Sequence, residues 1–153
     1  MTLDDVPELL VVQEAGAVAG LSHIFPQDRY PFSRDEIGAR WRAELAADDI
    51  AAYVSTDPDG ALTGFAATRA NELLHFGTAP DTWGSGLAQQ LHDATLTAMR
   101  AGFDLTSAFL YVFEDNGRAR RFYEKLGWTR SGATKRSTFG PNPILVEYGL
   151  SFS

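Results

Sequence analysis

Two glycines two residues apart, Gly84 and Gly86, lie between a stretch typical of a strand and a stretch typical of a helix. Glycine lets the backbone approach a ligand closely, and the first turn of a helix presents unpaired amides at the positive end of its dipole. The combination predicts either a phosphate-binding loop or a tight turn before a helix. ATP and NAD are disfavoured, because no Gly-Lys-Ser/Thr follows and Gln89 stands where the dinucleotide pattern has its third glycine.

A second segment that could do chemistry begins at Asn116, which is a good residue type for a helix N-cap. The short helix predicted over 116–126 carries Tyr123, whose phenol can donate a proton to a leaving group without carrying a charge. The same tyrosine belongs to an apolar stripe at helical spacing, formed by Ala119, Phe122, Tyr123 and Leu126. The residues alone leave both an acid and a core aromatic open.

These two segments together resemble the signature of the GNAT superfamily of acyltransferases. The run Trp83-Gly84-Ser85-Gly86-Leu87-Ala88 is similar to that family's pyrophosphate loop, and the run from Val112 to Trp128 is similar to its strand end, Asn, Phe-Tyr helix and Gly-aromatic pair. Position 83 carries Trp where the family has Arg or Gln. The resemblance implies an α/β (α+β) fold with a mixed, mostly antiparallel central sheet flanked by helices, whose first strand is missing or short here.

The resemblance also implies a cofactor, acetyl-CoA, and direct transfer of an acetyl or short acyl group to a primary amine of a small molecule or peptide. The absence of cysteine agrees with direct transfer, since the best acyl-carrying nucleophile is lacking. A non-catalytic CoA-binding sensor or assembly module is the alternative. The implied cofactor-binding residues are Phe76, Gly77, Thr78, Gly84, Ser85, Gly86, Leu87, Ala88, Asn116, Arg118 and Arg121, with the arginines either facing the 3′-phosphate or simply solvated.

Three residues are the candidates for proton transfer. The resemblance implies that Tyr123 protonates the leaving thiolate. Glu72 lies where some members of the family carry a base, and His75 is the other candidate because histidine titrates near neutral pH. Regular alternation predicts that positions 72 and 75 face opposite sides of the strand, so that only one faces the site. A solvated Glu72, a structural His75 and a water chain remain as alternatives.

The acceptor pocket is less well defined by the sequence. The resemblance places it between the first two helices, their loop and the C-terminal strand. An aromatic wall or a set of core residues is predicted from Phe25, Tyr30, Phe32 and Trp41.

The remaining pattern predicts the elements that position these residues. Helices are predicted over 2–16, from Ser33 with a Ser33–Glu36 capping box, over 85–101 and over 116–126. Strands are predicted over 50–55, 62–68, 71–78, 105–113 and 143–152, and the turn at 57–60 joins the first two in a hairpin. The strand–helix–strand unit over 71–113 predicts a parallel pair within the sheet.

The composition fits one domain over residues 1–153 and restricts its partners. The net charge of −7 argues against binding to a phosphate backbone. The start of the chain lacks the pattern of a signal peptide, and no apolar run reaches the length of a membrane helix, so a cytoplasmic protein without a membrane partner is expected. No metal is expected, because the three histidines lack ligand spacing. Homodimers are common among proteins of the family it resembles.

Overall fold

The computed structural model describes residues 1–102 and 104–152. A 3₁₀ turn, Leu3–Asp5, leads into α1, and the full order of elements is α1 (Val6–Leu21), α2 (Arg34–Leu45), β1 (Ile50–Thr56), β2 (Leu62–Arg69), β3 (Glu72–Thr78), a 3₁₀ turn (Pro80–Thr82), α3 (Leu87–Gly102), β4 (Ser107–Phe113), α4 (Gly117–Lys125), β5 (Thr129–Arg136) and β6 (Ile144–Ser151). The six strands form one sheet in the order β1-β2-β3-β4-β6-β5.

The sheet is mixed and mostly antiparallel, which confirms the predicted fold. The β3–β4 pair is parallel, and α3 makes the crossover between the two strands. The pairs β1–β2, β2–β3, β4–β6 and β5–β6 are all antiparallel. In the described part of the chain no strand precedes α1, and the Met1 ammonium donates a hydrogen bond to the Ala52 carbonyl of β1 at 3.1 Å.

Helices cover both faces of the sheet. His75 of β3 packs against Trp41 of α2, whereas the adjacent Phe76 packs against His92 of α3 and Phe122 of α4. Adjacent strand residues point to opposite faces, so α2 lies on one face and α3 and α4 lie on the other. A separate apolar core fills each interface.

Three predictions about the elements were wrong in detail. The first helix continues past position 16 to Leu21. Ser33 occupies the N-cap of α2 but its side chain makes no capping hydrogen bond, so the predicted capping box with Glu36 is not formed. Strand β5 was not predicted at all, because all eight of its residues are exposed and no apolar alternation marks it.

Within residues 1–102 and 104–152, none of the helices is both long enough and apolar enough to cross a membrane. The same residues contain no group of three or more histidine, aspartate or glutamate side chains that could hold a metal ion.

Candidate active site

The loop between β3 and α3 leaves several backbone amides without a partner. Gly84 and Gly86 have φ angles of +84° and +91°, and a Cβ built on either of them would meet no atom within 4 Å. Among the described residues no group accepts a hydrogen bond from the amides of Gly84, Gly86, Ala88 or Gln89. Four donors beside open space at a helix N-terminus are the arrangement that holds a phosphate or a diphosphate.

Two neighbouring hydrogen bonds fix the shape of this loop. The Ser85 amide donates to the Thr82 carbonyl at 3.1 Å, and the Leu87 amide donates to the Ser85 hydroxyl at 3.3 Å. The Ser85 hydroxyl in turn donates to the Thr82 carbonyl. Ser85 and Leu87 therefore hold the loop, while Gly84, Gly86, Ala88 and Gln89 present the unpaired donors.

A β-bulge interrupts β3 at Leu74. Ala67 of β2 lies opposite His75, and the next residue, Thr68, lies opposite Leu73, so Leu74 is the extra residue. A bulge bends the strand that carries it. The bend occurs just after the one described residue of β3 that pairs with its other neighbour, β4.

Beyond this bulge β3 and β4 do not pair. In the described residues the only register pair between them is Glu72 with Phe109. The gap between these two strands continues into a cavity of about 500 Å³. Its walls on the side of the two strands include Phe76, Gly77, Thr78, Leu110 and Tyr111.

The phenol of Tyr123 faces this cavity. The side chain is 7% exposed, and burial raises the pKa of Tyr123. No described group forms a hydrogen bond with its hydroxyl, and no fully buried side-chain nitrogen or oxygen atom of the described residues lacks a partner, so the hydroxyl reaches open space. The residue lines the cavity together with the β3 and β4 residues. It can therefore deliver a proton there.

Asn116 has a structural function and also lines the cavity. Its side-chain oxygen accepts a hydrogen bond from the Ala119 amide at 3.2 Å, which caps α4. No described group bonds the Asn116 side-chain NH₂. The N-cap and a ligand contact are compatible with each other at this position.

Glu72 and His75 lie on the same face of β3, contrary to the prediction from regular alternation. The bulge at Leu74 shifts the alternation by one residue, so that Leu73 and Phe76 both join the core beneath α3 and α4. Glu72 and His75 are consequently both directed to the opposite face.

The two candidate bases have different surroundings on that face. The Glu72 carboxylate pairs with Arg69 at 3.2 Å, and Glu72 is not among the residues that line the cavity. His75 lines the cavity, and its Nε2 lies 2.7 Å from a carboxylate oxygen of Glu44. Because a carboxylate only accepts, Nε2 carries the hydrogen. Nδ1 makes no hydrogen bond with any described group.

The arginines of α4 have different environments. The guanidinium carbon of Arg118 lies 3.3 Å from the ring centroid of Trp83, and burial lowers the pKa of Arg118. The Arg121 guanidinium folds back over Gly117. Arg120 donates to the Glu114 carbonyl and to the Tyr148 hydroxyl, at 2.9 and 3.0 Å, and is thus a structural residue.

A profile of the "Acetyltransferase (GNAT) family" matches residues 4–128. The chain belongs to the GNAT family. The match spans both helical layers, the unpaired loop amides and Tyr123.

The curated relatives of this GNAT chain include mycothiol acetyltransferases. The protein from Streptomyces coelicolor is 37% identical over 86 residues, which are 52% of this chain and 28% of the relative. The protein from Salinispora tropica is 34% identical over 101 residues, or 60% of this chain and 33% of the relative. The chain thus spans about a third of the length of these relatives.

Solved GNAT structures resemble the chain over nearly its whole length. Spermidine N-acetyltransferase from Vibrio cholerae, solved in complex with CoA and spermine, superimposes with a TM-score of 0.71 at 17% identity, covering 99% of this chain and 92% of that one. The ribosomal-protein-S18-alanine N-acetyltransferase from Escherichia coli gives 0.71 at 18% identity, covering 100% and 91%. At these identities the likeness shows the fold.

The opposite wall of the cavity in this GNAT chain is aromatic. Three of the four predicted wall residues, Phe25, Tyr30 and Phe32, are half-buried and line the cavity. Trp41 does not, because it is 2% exposed, lies in the core beneath α1 and α2, and donates its Nε1 hydrogen to Gln13 at 2.8 Å.

Three residues at or near the cavity are not predicted as site residues from the sequence. Phe139 lines the cavity from the β5–β6 loop. Because the sequence does not predict β5, it does not predict where this loop lies either. Glu36 lines the cavity from the first turn of α2, whereas the sequence pattern predicts a capping role for this residue. Glu44 pairs with His75 across 31 positions of sequence, and no local pattern indicates such a contact.

Proposed function

We propose that this chain transfers an acetyl group from acetyl-CoA to a primary amine by direct attack of the amine. The reaction forms a C–N bond between the amine and the acetyl carbon, breaks the C–S bond, and moves one proton net from nitrogen to sulfur. The observation that supports it best is that one cavity connects the parts of the site. Tyr123 and the C-terminal end of β3 both line this cavity, and the same strand end leads into the loop with the four unpaired amides.

The residues present fit the cofactor. The unpaired amides of Gly84, Gly86, Ala88 and Gln89 would hold the diphosphate, since they stand at a helix N-terminus beside open space. The unpaired edge of β3 around Phe76, Gly77 and Thr78 would bind the pantetheine arm like an added strand. Ser85 and Leu87 keep the loop in shape.

Two side chains at the edge of the cleft would complete the cofactor site. The Asn116 side-chain NH₂ is open to the pantetheine arm. The guanidinium of Arg118, fixed beside the loop by its stack on Trp83, would give charge-assisted hydrogen bonds to phosphate oxygens. Arg121 folds back along α4 and is the weaker candidate of the two arginines.

Acetyl-CoA supplies an acetyl group activated as a thioester. Tyr123 holds a proton at its hydroxyl inside the cavity, where a leaving sulfur can take it up. His75 accepts the proton of the amine at Nδ1, because Glu44 keeps the hydrogen on Nε2. We place Glu72 outside the reaction, since it pairs with Arg69 away from the cavity.

The test measures thiol release from acetyl-CoA with a panel of amines, and in parallel the binding of CoA by calorimetry. Tyr123→Phe should lower kcat by about 10²-fold to 10⁴-fold, the usual contribution of a positioned acid, and leave CoA affinity nearly unchanged. Tyr53→Phe, on edge strand β1, is the matched control and should retain full activity.

The two measurements separate the proposal from its alternative. Full activity in Tyr123→Phe would remove the phenol from the mechanism. CoA binding without thiol release on any amine would instead favour a CoA-binding sensor or assembly module. Absence of CoA binding would contradict the proposed cofactor site.

A further inference from the structure

The charges around the cavity restrict the acceptor. Among the described residues that line it, Glu36 is the only carboxylate, and none is lysine or arginine. Glu36 forms no ion pair with any described residue. A single carboxylate can attract one ammonium group, and the described lining has no lysine or arginine to pair with an acidic acceptor. Lys135 and Arg40 lie over the rings of Tyr111 and Phe139, at 3.9 and 4.7 Å, where cation–π contacts engage them.

The two glutamine side chains of the cavity each have a protein partner. Gln27 donates its NH₂ to the Phe25 carbonyl at 2.9 Å and accepts from the Phe32 amide at 3.1 Å. Gln13 accepts the Trp41 indole hydrogen at 2.8 Å. These bonds hold the α1–α2 loop and the core, so both glutamine oxygens already accept a hydrogen bond and are less available to the hydroxyl groups of a polyhydroxylated acceptor.

The apolar part of the wall consists of aromatic rings from two loops. Phe25, Tyr30 and Phe32 come from the α1–α2 loop, and Phe139 comes from the β5–β6 loop. All four are half-buried. Rings that remain partly uncovered within a cavity favour a flat apolar or aromatic group, which they contact by stacking or edge-to-face.

Internal contacts hold this wall in position. The Phe25 ring packs edge-on against Phe113 at 5.2 Å between centroids, and Tyr30 packs against Gly140. The Phe139 amide donates to the Ser137 hydroxyl at 3.1 Å. The wall is therefore formed before a ligand binds, which lowers the entropic cost of binding.

We infer that the acceptor is a primary amine with one positive charge on an apolar body the size of an aryl ring. Glu36 attracts the ammonium group to the mouth of the cavity, and the aromatic wall holds the body. A polyamine would leave its additional charges unpaired, and an amino acid would bring a carboxylate against Glu36 with no lysine or arginine of the described lining to hold it. This inference rests on the proposed acetyl transfer.

The experiment compares four amines in the thiol-release assay: 2-phenylethylamine, phenylalanine, ethylamine and spermidine. Phenylalanine adds a carboxylate to the same aryl body, ethylamine removes the aryl body, and spermidine adds charges. The expected kcat/KM for 2-phenylethylamine is at least tenfold above that for each of the others. Glu36→Gln should raise KM for 2-phenylethylamine about fivefold to tenfold without changing KM for acetyl-CoA.

The matched control is Asp35→Asn, which removes the neighbouring carboxylate from the same helical turn but not from the cavity wall. It should leave both KM values unchanged. A preference for spermidine, phenylalanine or ethylamine would overturn the inference and leave the proposed acetyl transfer intact. Binding of acetyl-CoA with no acetylation of any of the four amines would overturn both.

Discussion

The Arg118 guanidinium stacks on the indole of Trp83, with 3.3 Å between its central carbon and the ring centroid. Trp83 is followed directly by Gly84, the first of the four loop residues whose amides have no described partner. The Trp83 Nε1 hydrogen is bonded to the Thr78 carbonyl at 3.2 Å, so the indole is fixed at the end of β3. Arg118 thus brings a positive charge from α4 to the side of this loop.

This stack predicts that Arg118 acts on the diphosphate rather than on the 3′-phosphate. Arg118→Gln should weaken CoA binding about tenfold, because a charge-assisted hydrogen bond contributes on the order of 1.5 kcal/mol or more. The loss should persist with 3′-dephospho-CoA and vanish with S-acetylpantetheine, which lacks the diphosphate. Calorimetry with the three ligands provides the measurement.

Arg121→Gln serves as the control, since that guanidinium folds over Gly117 of its own helix. It should change CoA affinity by less than Arg118→Gln does. If the effect of Arg118→Gln disappears with 3′-dephospho-CoA, the arginine contacts the 3′-phosphate instead.

The conformation of the loop predicts a cost at Gly86. With φ at +91°, Gly86→Ala should reduce the free energy of unfolding by about 1–2 kcal/mol, the cost of a left-handed conformation for a residue with a Cβ. The same change should weaken CoA binding, because the Cβ enters the open space beside the amides. Urea denaturation and calorimetry measure the two effects.

Gly16→Ala is the control for stability. Gly16 lies inside α1, and a Cβ there meets no atom within 4 Å, so alanine should stabilise the helix by about 0.5–1 kcal/mol. Equal changes in the free energy of unfolding for Gly86→Ala and Gly16→Ala would show that position 86 imposes no backbone strain on a residue with a Cβ.

The cofactor half of the proposed site rests on signals that are local in the sequence. The glycine loop, the N-cap at Asn116 and the position of Tyr123 each depend on residues within a few positions of one another. The acceptor half depends on distant contacts. Phe139 reaches the cavity only through β5, an exposed edge strand without apolar alternation, and Glu44 meets His75 only after α2 packs on the sheet.

The faces of β3 were wrongly predicted for a different reason. Alternation assumes an unbroken pleat, whereas the extra residue Leu74 moves Glu72 and His75 to one face. No turn residue such as glycine or proline marks position 74. The bulge is favoured by the packing of Leu73 and Phe76 in one core, which single-strand periodicity does not reveal.

Burial of Tyr123 predicts a specific alkaline dependence of stability. Because the pKa of Tyr123 is raised in the folded chain, its full contribution is present below the ordinary tyrosine pKa of about 10. Above that pH the unfolded chain loses the proton first, so stability falls by up to about 1.4 kcal/mol per pH unit for this one group. Tyr123→Phe lacks this decline.

Urea denaturation at pH 9, 10 and 11 tests this dependence. The difference in the free energy of unfolding between the wild type and Tyr123→Phe should shrink or change sign as the pH rises above 10. Tyr111, whose pKa is also raised by burial, contributes equally to both proteins and cancels. Parallel curves for the two proteins would contradict a buried, protonated phenol.

The His75–Glu44 pair predicts that Glu44 is a positioning residue. Glu44→Gln can still bond Nε2, but its amide can donate as well as accept, so it no longer fixes which ring nitrogen carries the hydrogen. We expect kcat/KM to fall about tenfold, with a changed pH profile and an unchanged KM for acetyl-CoA. His75→Gln should reduce kcat/KM about 10²-fold, within the usual range for a general base.

The double variant decides whether the two residues act as a unit. If Glu44 acts through His75, the combination should be no less active than His75→Gln alone, since coupled groups are not additive. Glu44→Asp should restore part of the activity by retaining a carboxylate. Asp35→Asn is the control, because Asp35 lies on the same helix as Glu44 but outside the cavity and should change neither kcat/KM nor the pH profile. Additive losses from Glu44→Gln and His75→Gln would show that Glu44 only stabilises the packing of α2 on the sheet.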